Sequence, residues 1–348
     1  MKACAPGKVI LSGEHAVVYG AQAIAIAIRK HTYVSFSPIT ESNSISTLFS
    51  GISSGFHYPL HALSALKSKL DTRFDAFVQG DLPIQKILSQ PDDLLMYTLS
   101  ALVHHLPVVP GRHSRSSYLP VPGRLSSESE LPLGAGMGSS ASAIAATLVL
   151  FENLLDKPLS AEQRFELVRF CERLQHGKGS AIDAAAVTYG GMVQVQQERV
   201  KRLDTNIGPG WYWIFTGQPS VSTGECVQFV RQHFATDHAL WDQFSRVTAA
   251  LADEISHHHS VLELVKENHQ LLKHIQVVPD SAVALIEALE AAGGAAKISG
   301  AGAHRGSFGG LVIAYMPEGD IASALAPFPQ YSWGPLEEDR LGARYLND

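Results

Sequence analysis

Three glycines on alternate positions, Gly134, Gly136 and Gly138, run directly into Ser139-Ser140 and then into small and apolar side chains as far as Phe151. Glycine lets a backbone turn tightly and approach a ligand closely. The alanine-rich run that follows is good helix material. A glycine loop feeding a helix is therefore expected, with free N–H groups and the positive end of the helix dipole turned toward an anion such as phosphate. Two familiar phosphate loops fit poorly. The Walker pattern needs Gly-Lys-Ser/Thr, and no lysine follows these glycines. A dinucleotide fingerprint counted from Gly134 needs a glycine where Ser139 stands; counted from Gly136 it closes at Ala141, but Ser129-Glu130-Leu131-Pro132 is a poor entering strand. The two serines add hydroxyls suited to phosphate or magnesium. A flexible turn before a buried helix is the alternative, and the loop alone leaves it open.

The rest of the chain supplies enough apolar material for a large core. Its 348 residues are 45% hydrophobic, which suits one or two domains. The net charge of -6 and pI near 6.2 argue against nucleic acid or an anionic membrane as the main partner, while a local cluster of Lys and Arg would still serve a small anionic substrate. Cys4, Cys171 and Cys226 are odd in number and widely spaced, with neither metal spacing nor a disulfide framework, so a reducing cytoplasm is expected. Gly13-Glu14-His15 breaks the N-terminal apolar stretch too early for a signal peptide, and no run reaches the length of a transmembrane helix.

Strands are expected at Val9–Leu11, at Ala23–Ile28 with its alternating Ala and Ile, at His31–Phe36, Ser44–Phe49, Met192–Val195, Trp211–Phe215, Ala296–Ile298 and Leu311–Tyr315. Residues 60–70 read as helix, and Asp75–Val78 as a further strand. Pro91–His105 is expected to be helical, as is a segment opened by Ser160 as N-cap and stopped at His176-Gly177. Thr216–Glu225 reads as a turn-rich connection before a helix from Cys226 to Phe234; helical patterns continue to Ile275, and Asp280–Ala292 is another helix. Residues 106–124 read as a surface connection. His257-His258-His259 stand at adjacent positions, cannot all face one metal from a helix, and read as a solvated surface. A boundary near Gly190-Gly191 would divide the chain into domains 1–190 and 191–348.

Polar groups at strand ends and turns are the candidates for chemistry. Lys8, Glu14 and His15 occupy such positions, although a histidine like His15 serves equally well as a hydrogen-bonded group near a core. Asp183 follows glycines in a small, nearly uncharged setting, and a carboxylate there must find partners or work, because burying it unpaired is costly; an N-cap role is the plainer option. A second glycine-rich stretch, 293–315, carries His304 and Arg305 as candidates for negative charge, unless it is a long hairpin loop with a solvated arginine.

Four stretches, in order, resemble one family: APGKVILSGEHAVVYG (5–20), ELPLGAGMGSSASA (130–143), CERLQHGKGSAIDAAAVTYGG (171–191) and KISGAG (297–302). They are similar to the GHMP small-molecule kinases, most of all to the mevalonate kinase branch, and the similarity spans essentially the whole chain. The resemblance implies an α+β, two-domain GHMP kinase fold with the active site in the interdomain cleft. It implies ATP and Mg²⁺, and transfer of a phosphoryl group to the primary hydroxyl of mevalonate. Gly134, Ala135, Gly136, Met137, Gly138, Ser139 and Ser140 match the family's ATP-phosphate loop. Ser140 and Glu172 match its magnesium ligands, both hard oxygen donors. Asp183 matches its base, and Lys8 the lysine beside that base, whose charge would favour a developing alkoxide. Glu14 and His15 match substrate-side positions, with Thr223 a weaker match. Arg305 is a candidate for the substrate carboxylate on charge alone, without a family counterpart. Many relatives are dimers, which leaves a homodimer open.

The chain departs from the family at Met137, where Leu is usual, and after Gly302, where further glycines give way to Ala303-His304-Arg305-Gly306-Ser307-Phe308. It departs again after Ser222-Thr223, where Gly224-Glu225 stand in place of Lys or Arg. The same fold acting on phosphomevalonate, a sugar or another small alcohol is therefore a second expectation. A non-catalytic ligand sensor is a third, but a sensor has no need for Lys8, Ser140, Glu172 and Asp183 together.

Overall fold

The computed structural model describes residues 1–50, 55–106, 121–132 and 134–347. The chain begins with strands β1 (Lys2–Ser12), β2 (Ala23–Pro38), β3 (Ser44–Phe49) and β4 (His57–Pro59), followed by helices α1 (Leu63–Gln79) and α2 (Asp93–His105). Strand β5 (Gly123–Ser129) precedes helices α3 (Ser139–Leu154), α4 (Ala161–His176) and α5 (Ala181–Tyr189), then strands β6 (Met192–Gln196), β7 (Arg199–Leu203) and β8 (Trp211–Phe215). Helices α6 (Thr223–Phe234), α7 (His238–Ser256), α8 (Leu262–His274) and α9 (Asp280–Ala291) come next. Strands β9 (Ala295–Ser299) and β10 (Leu311–Tyr315), helix α10 (Ile321–Leu325) and strands β11 (Ser332–Pro335) and β12 (Arg344–Leu346) complete it.

Two sheets organise these elements. The first runs β12-β1-β2-β5-β3-β4, with β6 on β2 and β7 on β6; the second runs β11-β8-β10-β9. Strand β2 shows why they stack. Its side chains alternate faces, so Ala23 and Ala25 join the core under α1–α5, while Ile24, Ile26 and Ile28 join a separate core with Trp211, Leu311 and Ile313 of the second sheet. Alanine on the helix side admits α3 close to the sheet. That helix is buried nearly all round, as an apolar helix without a polar face must be. A third core lies under α6–α9 on the second sheet. The architecture is α+β with two units.

Most expected elements appear, with three corrections. Asp75–Val78 is not a strand but the last turn of α1, whose buried Leu63, Leu70 and Phe74 share one helical face; Val78 is exposed and gives a strand nothing to pack against. Helix α6 begins at Thr223, three residues before the expected start, because Ser222 and Glu225 form a capping box. β1 extends well beyond Val9–Leu11, as far as Lys2. The surface connection expected at 106–124 lies largely outside the described residues. His257–His259 follow the end of α7 and are exposed. Strands β6 and β7, just after Gly190-Gly191, stay on the first sheet, and the second sheet starts at Trp211.

The C-terminal segment is locked onto the first sheet by a buried charge cluster. His31 Nε2 lies 2.6 Å from Asp339 Oδ2, and Arg344 Nη1 donates to the same oxygen at 2.9 Å. Burial would raise the Asp339 carboxyl, but the His31 hydrogen bond, the Arg344 charge and the N–H groups of Leu341 and Gly342 outweigh it and bring it down to about 2. A depressed carboxylate stabilises the fold above its unfolded value and loses that contribution as pH falls toward the folded one. Asp339→Asn is therefore expected to cost about 2 kcal/mol near neutral pH. In denaturation at a series of pH values, the variant's deficit should shrink between about pH 4 and pH 2.

Candidate active site

The glycine loop is held by the side chains between its glycines. Gly134, Gly136 and Gly138 have φ of +73°, +74° and +73°, while Ala135 and Met137 are buried in the core between the sheets. Apolar side chains thus point inward and the loop backbone faces out. Gly138 is the N-cap of α3 and makes no side-chain cap, so no capping side chain occupies the first N–H groups of the helix at Ser139 and Ser140. Ser142 Oγ donates to Ala5 O at 2.7 Å, pinning this end of α3 to β1.

Lys8 of β1 and Asp183 of α5 meet against the loop. Lys8 is buried; its Nζ lies 3.1 Å from Asp183 Oδ1 and donates to Gly136 O at 2.8 Å, and its backbone N–H donates to Met137 O at 2.9 Å. Asp183 is set by the first turn of α5, where its N–H donates to the N-cap Ser180 Oγ at 3.2 Å. A Cβ on Gly138 would stand 3.1 Å from Lys8 Cγ and 3.2 Å from Asp183 Oδ1. Gly138→Ala combines that crowding with a left-handed φ that costs an L residue about 1–2 kcal/mol. We expect it to destabilise the protein by that amount in chemical denaturation and to lower turnover by pushing Lys8 off Asp183.

Glu172 lies across from this pair on α4 and is buried. Ser140 Oγ donates to its Oε1 at 3.1 Å, and Ser180 N–H to its Oε2 at 3.3 Å. Burial, and then the Asp183 charge, push the Glu172 carboxyl well above the usual carboxylate range. His176, one turn further along α4, brings Nε2 within 3.5 Å of Ser140 Oγ and 4.0 Å of Glu172 Oε1. It was not among the candidate site residues, although the His-Gly pair that stops α4 carried the signal.

These groups fit a magnesium ion. Asp183 alone pairs with Lys8, while the more buried Glu172 has only neutral donors, so the cluster is short of positive charge. Magnesium is usually held by one or two carboxylates together with substrate phosphates. Among the described residues, no group of three or more His, Cys, Asp and Glu side chains forms an all-protein metal cage.

A second set of the expected site residues gathers around the turn after β1 and the start of α6. Glu14, on the turn after β1, is buried against Lys297 Nζ of β9, and its Oε2 has no partner. Burial raises the Glu14 carboxyl against the Lys297 charge, and burial lowers Lys297 against Glu14. His15 is buried, with Nε2 2.9 Å from Ala301 O. Because a carbonyl can only accept, Nε2 carries the proton; burial brings this imidazole down to about 4. Ser299 Oγ accepts from Ile10 N at 2.8 Å and donates to Ile10 O at 3.0 Å, joining β9 to β1 beside the glycine loop. Thr223 is exposed on the first turn of α6, and the exposed Arg305 donates from Nη2 to Glu225 Oε1 at 3.0 Å. Lys297, an unmarked strand residue in the sequence, is thus the buried partner of Glu14.

Known proteins share this arrangement of segments. Residues 110–191 match the GHMP kinases N terminal domain. The mevalonate kinase of Pyrococcus abyssi is 29% identical over 340 residues, covering 93% of this chain and 91% of that relative. The chain is thus similar to the GHMP kinases, in one domain by family pattern and along most of its length by relatives. Solved GHMP kinases have the same fold. The Methanococcus jannaschii mevalonate kinase superposes with a TM-score of 0.78 at 21% identity, over 100% of this chain and 98% of that one. The L. major mevalonate kinase, solved in complex with R-mevalonate, gives a TM-score of 0.68 at 19% identity, over 97% and 96% of the two chains. Among the described residues, no helix of the chain is long and apolar enough to cross a membrane.

Proposed function

We propose that this chain is a GHMP kinase that transfers the γ-phosphoryl group of ATP to the primary hydroxyl of mevalonate, giving 5-phosphomevalonate. The observation that carries the reading is the pairing of buried Lys8 with half-buried Asp183, 3.1 Å apart, set against the outward-facing backbone of a glycine loop. Phosphoryl transfer needs the phosphates held, their charge neutralised and the acceptor hydroxyl oriented. Residues 134–140 cradle the phosphates with loop and helix N–H groups. Ser140 and Glu172 hold Mg²⁺, which when bound neutralises charge on the phosphate oxygens. Asp183 accepts the hydroxyl proton as that oxygen bonds to the γ-phosphorus and the bond from phosphorus to the ADP oxygen breaks. Lys8 stabilises the negative charge that develops on the attacking oxygen. Glu14 and His15 form the acceptor side with Thr223, and Arg305 meets the carboxylate. The same reading divides the chain near residue 190 into a unit bearing the phosphate loop and Asp183, 1–190, and a unit closing the acceptor side, 191–348. It also makes the protein a cytoplasmic enzyme, in keeping with three buried free cysteines.

The test is turnover of ATP and Mg²⁺ over mevalonate, phosphomevalonate, galactose and homoserine. Selective turnover of mevalonate is expected. Selective turnover of another acceptor would keep the kinase and discard mevalonate; the departures at 303–308 and 224–225 favour that as the second reading. Binding of ATP without any turnover would replace the enzyme with a ligand sensor.

A further inference from the structure

The two places where this sequence leaves its family's pattern, the cation missing after Thr223 and the altered loop after Gly302, face each other in the fold. Ala301 O accepts from His15 Nε2 at 2.9 Å and from Cys226 Sγ at 3.1 Å, so one carbonyl ties the loop after β9 to the substrate-side histidine and to the first turn of α6. The following residues fold back on the same helix. The His304 ring stacks on Phe229 at 4.4 Å and 5°, and Ser220 Oγ donates to Arg305 O at 3.2 Å. Gly306 has φ of +86°, and a Cβ there would fall 2.1 Å from Ser220 Oγ, so only glycine lets the loop close this tightly. The backbone of Arg305 is therefore fixed while its side chain stays 63% exposed.

The guanidinium is held at one corner only. Nη2 donates to Glu225 Oε1 at 3.0 Å, and Glu225 is itself immobilised because its Oε2 accepts from Ser222 N–H at 3.0 Å and Ser222 Oγ at 3.1 Å. Among the described residues Arg305 makes no other side-chain hydrogen bond, which leaves its remaining donors for a carboxylate that can engage two of them. The two buried site lysines are committed elsewhere, Lys8 to Asp183 and Gly136, Lys297 to Glu14.

We infer that Arg305 and Glu225 form a charge filter that selects an acceptor bearing a single carboxylate, with the selecting cation carried on the loop after β9 instead of on α6. The inference rests on the mevalonate reading and deepens it. The pair is close to neutral, so one carboxylate completes it. A second negative charge beside that carboxylate would be brought up to Glu225 and is disfavoured. A neutral alcohol gains nothing from the free guanidinium edge.

The experiment is steady-state kinetics with mevalonate and the neutral amide of mevalonate, on the wild type, Arg305→Met, Arg305→Lys and Glu225→Gln. Losing a charge-assisted hydrogen bond to the carboxylate should raise the Arg305→Met KM for mevalonate by about 10- to 100-fold. The kcat, the KM for ATP and the KM for the amide should stay within about twofold, since this contact is equal in ground and transition states. Arg305→Lys should recover part of the loss, keeping the charge without the planar fork. Glu225→Gln should raise kcat/KM for mevalonate relative to its neutral amide by up to about tenfold, by removing a like charge beside the carboxylate. Equal losses on mevalonate and its amide would make Arg305 a loop brace and overturn the filter. An unchanged Glu225→Gln preference would overturn the role of Glu225, and this variant and Arg305→Lys keep the test decisive if Arg305→Met fails to fold. Failure of the wild type to use mevalonate would sink the functional reading instead, and the wild-type row reports that separately.

Discussion

Asp183→Asn is expected to lower kcat by about 10²- to 10⁴-fold, the range for loss of a positioned general base, while leaving ATP affinity within a few-fold of wild type. The side chain keeps its shape, its N–H still caps on Ser180, and the Gly134–Ser140 backbone that would hold the phosphates does not depend on it. What changes is that an amide cannot take the hydroxyl proton, and Lys8 loses its anionic partner at 3.1 Å. Single-turnover kinetics separate this loss from nucleotide binding, which titration calorimetry measures directly. An Asn variant within tenfold of the wild-type rate would mean that the proton leaves by another route and that Asp183 serves α5 as a structural residue. Glu172 would be the next group to examine, since it lies close enough for the Asp183 charge to perturb it.

Lys297→Met should destabilise the protein by about 3–5 kcal/mol, the usual effect of removing one partner from a buried ion pair. Lys297 and Glu14 are both fully enclosed, and Glu14 Oε2 is already unpartnered, so no other described group can take over the lost charge. Burial raises the Glu14 carboxyl even with Lys297 present. Without the lysine that shift grows, so the folded variant holds its proton more tightly than the unfolded chain. An acid raised in this way destabilises most at high pH, and the penalty disappears as pH falls below the unfolded value. The deficit in urea denaturation should therefore be smallest in acid. The double variant Lys297→Met with Glu14→Leu should recover most of the stability, because two apolar groups replace a desolvated pair. It should not recover activity if, as proposed, Glu14 and His15 form the acceptor side. A single variant as stable as wild type would show that the pair's attraction only offsets its desolvation, and that Glu14 is readily accommodated neutral.

The legible parts of this fold are those where local pattern and tertiary environment agree. The Ala–Ile alternation of β2 announces a strand buried on both faces, and the structure uses each face for a different core. Ser160 and Gly177 mark the ends of α4 as expected. The misplaced start of α6 was readable in principle, since Ser222 and Glu225 have the spacing of a capping box; the turn-like composition of 216–225 masked it. Asp75–Val78 was not readable, because four residues ending on an exposed valine look alike in a strand and in a final helical turn.

By itself the sequence determined the chemistry available: a glycine loop before a helix, a lysine and an aspartate in small-residue settings, hydroxyls at the loop end, and the family to which their order points. These are local properties, set by backbone freedom, helix propensity and spacing within a few residues. Only the tertiary structure decided the partnerships. Lys8 and Asp183 are 175 positions apart and Glu14 and Lys297 are 283 apart; the first pair meets where α5 packs on β1, the second where β9 reaches the turn after β1. Desolvation there makes the pairings matter. A charge that water would satisfy anywhere on the surface must, once buried, find its partner across the fold.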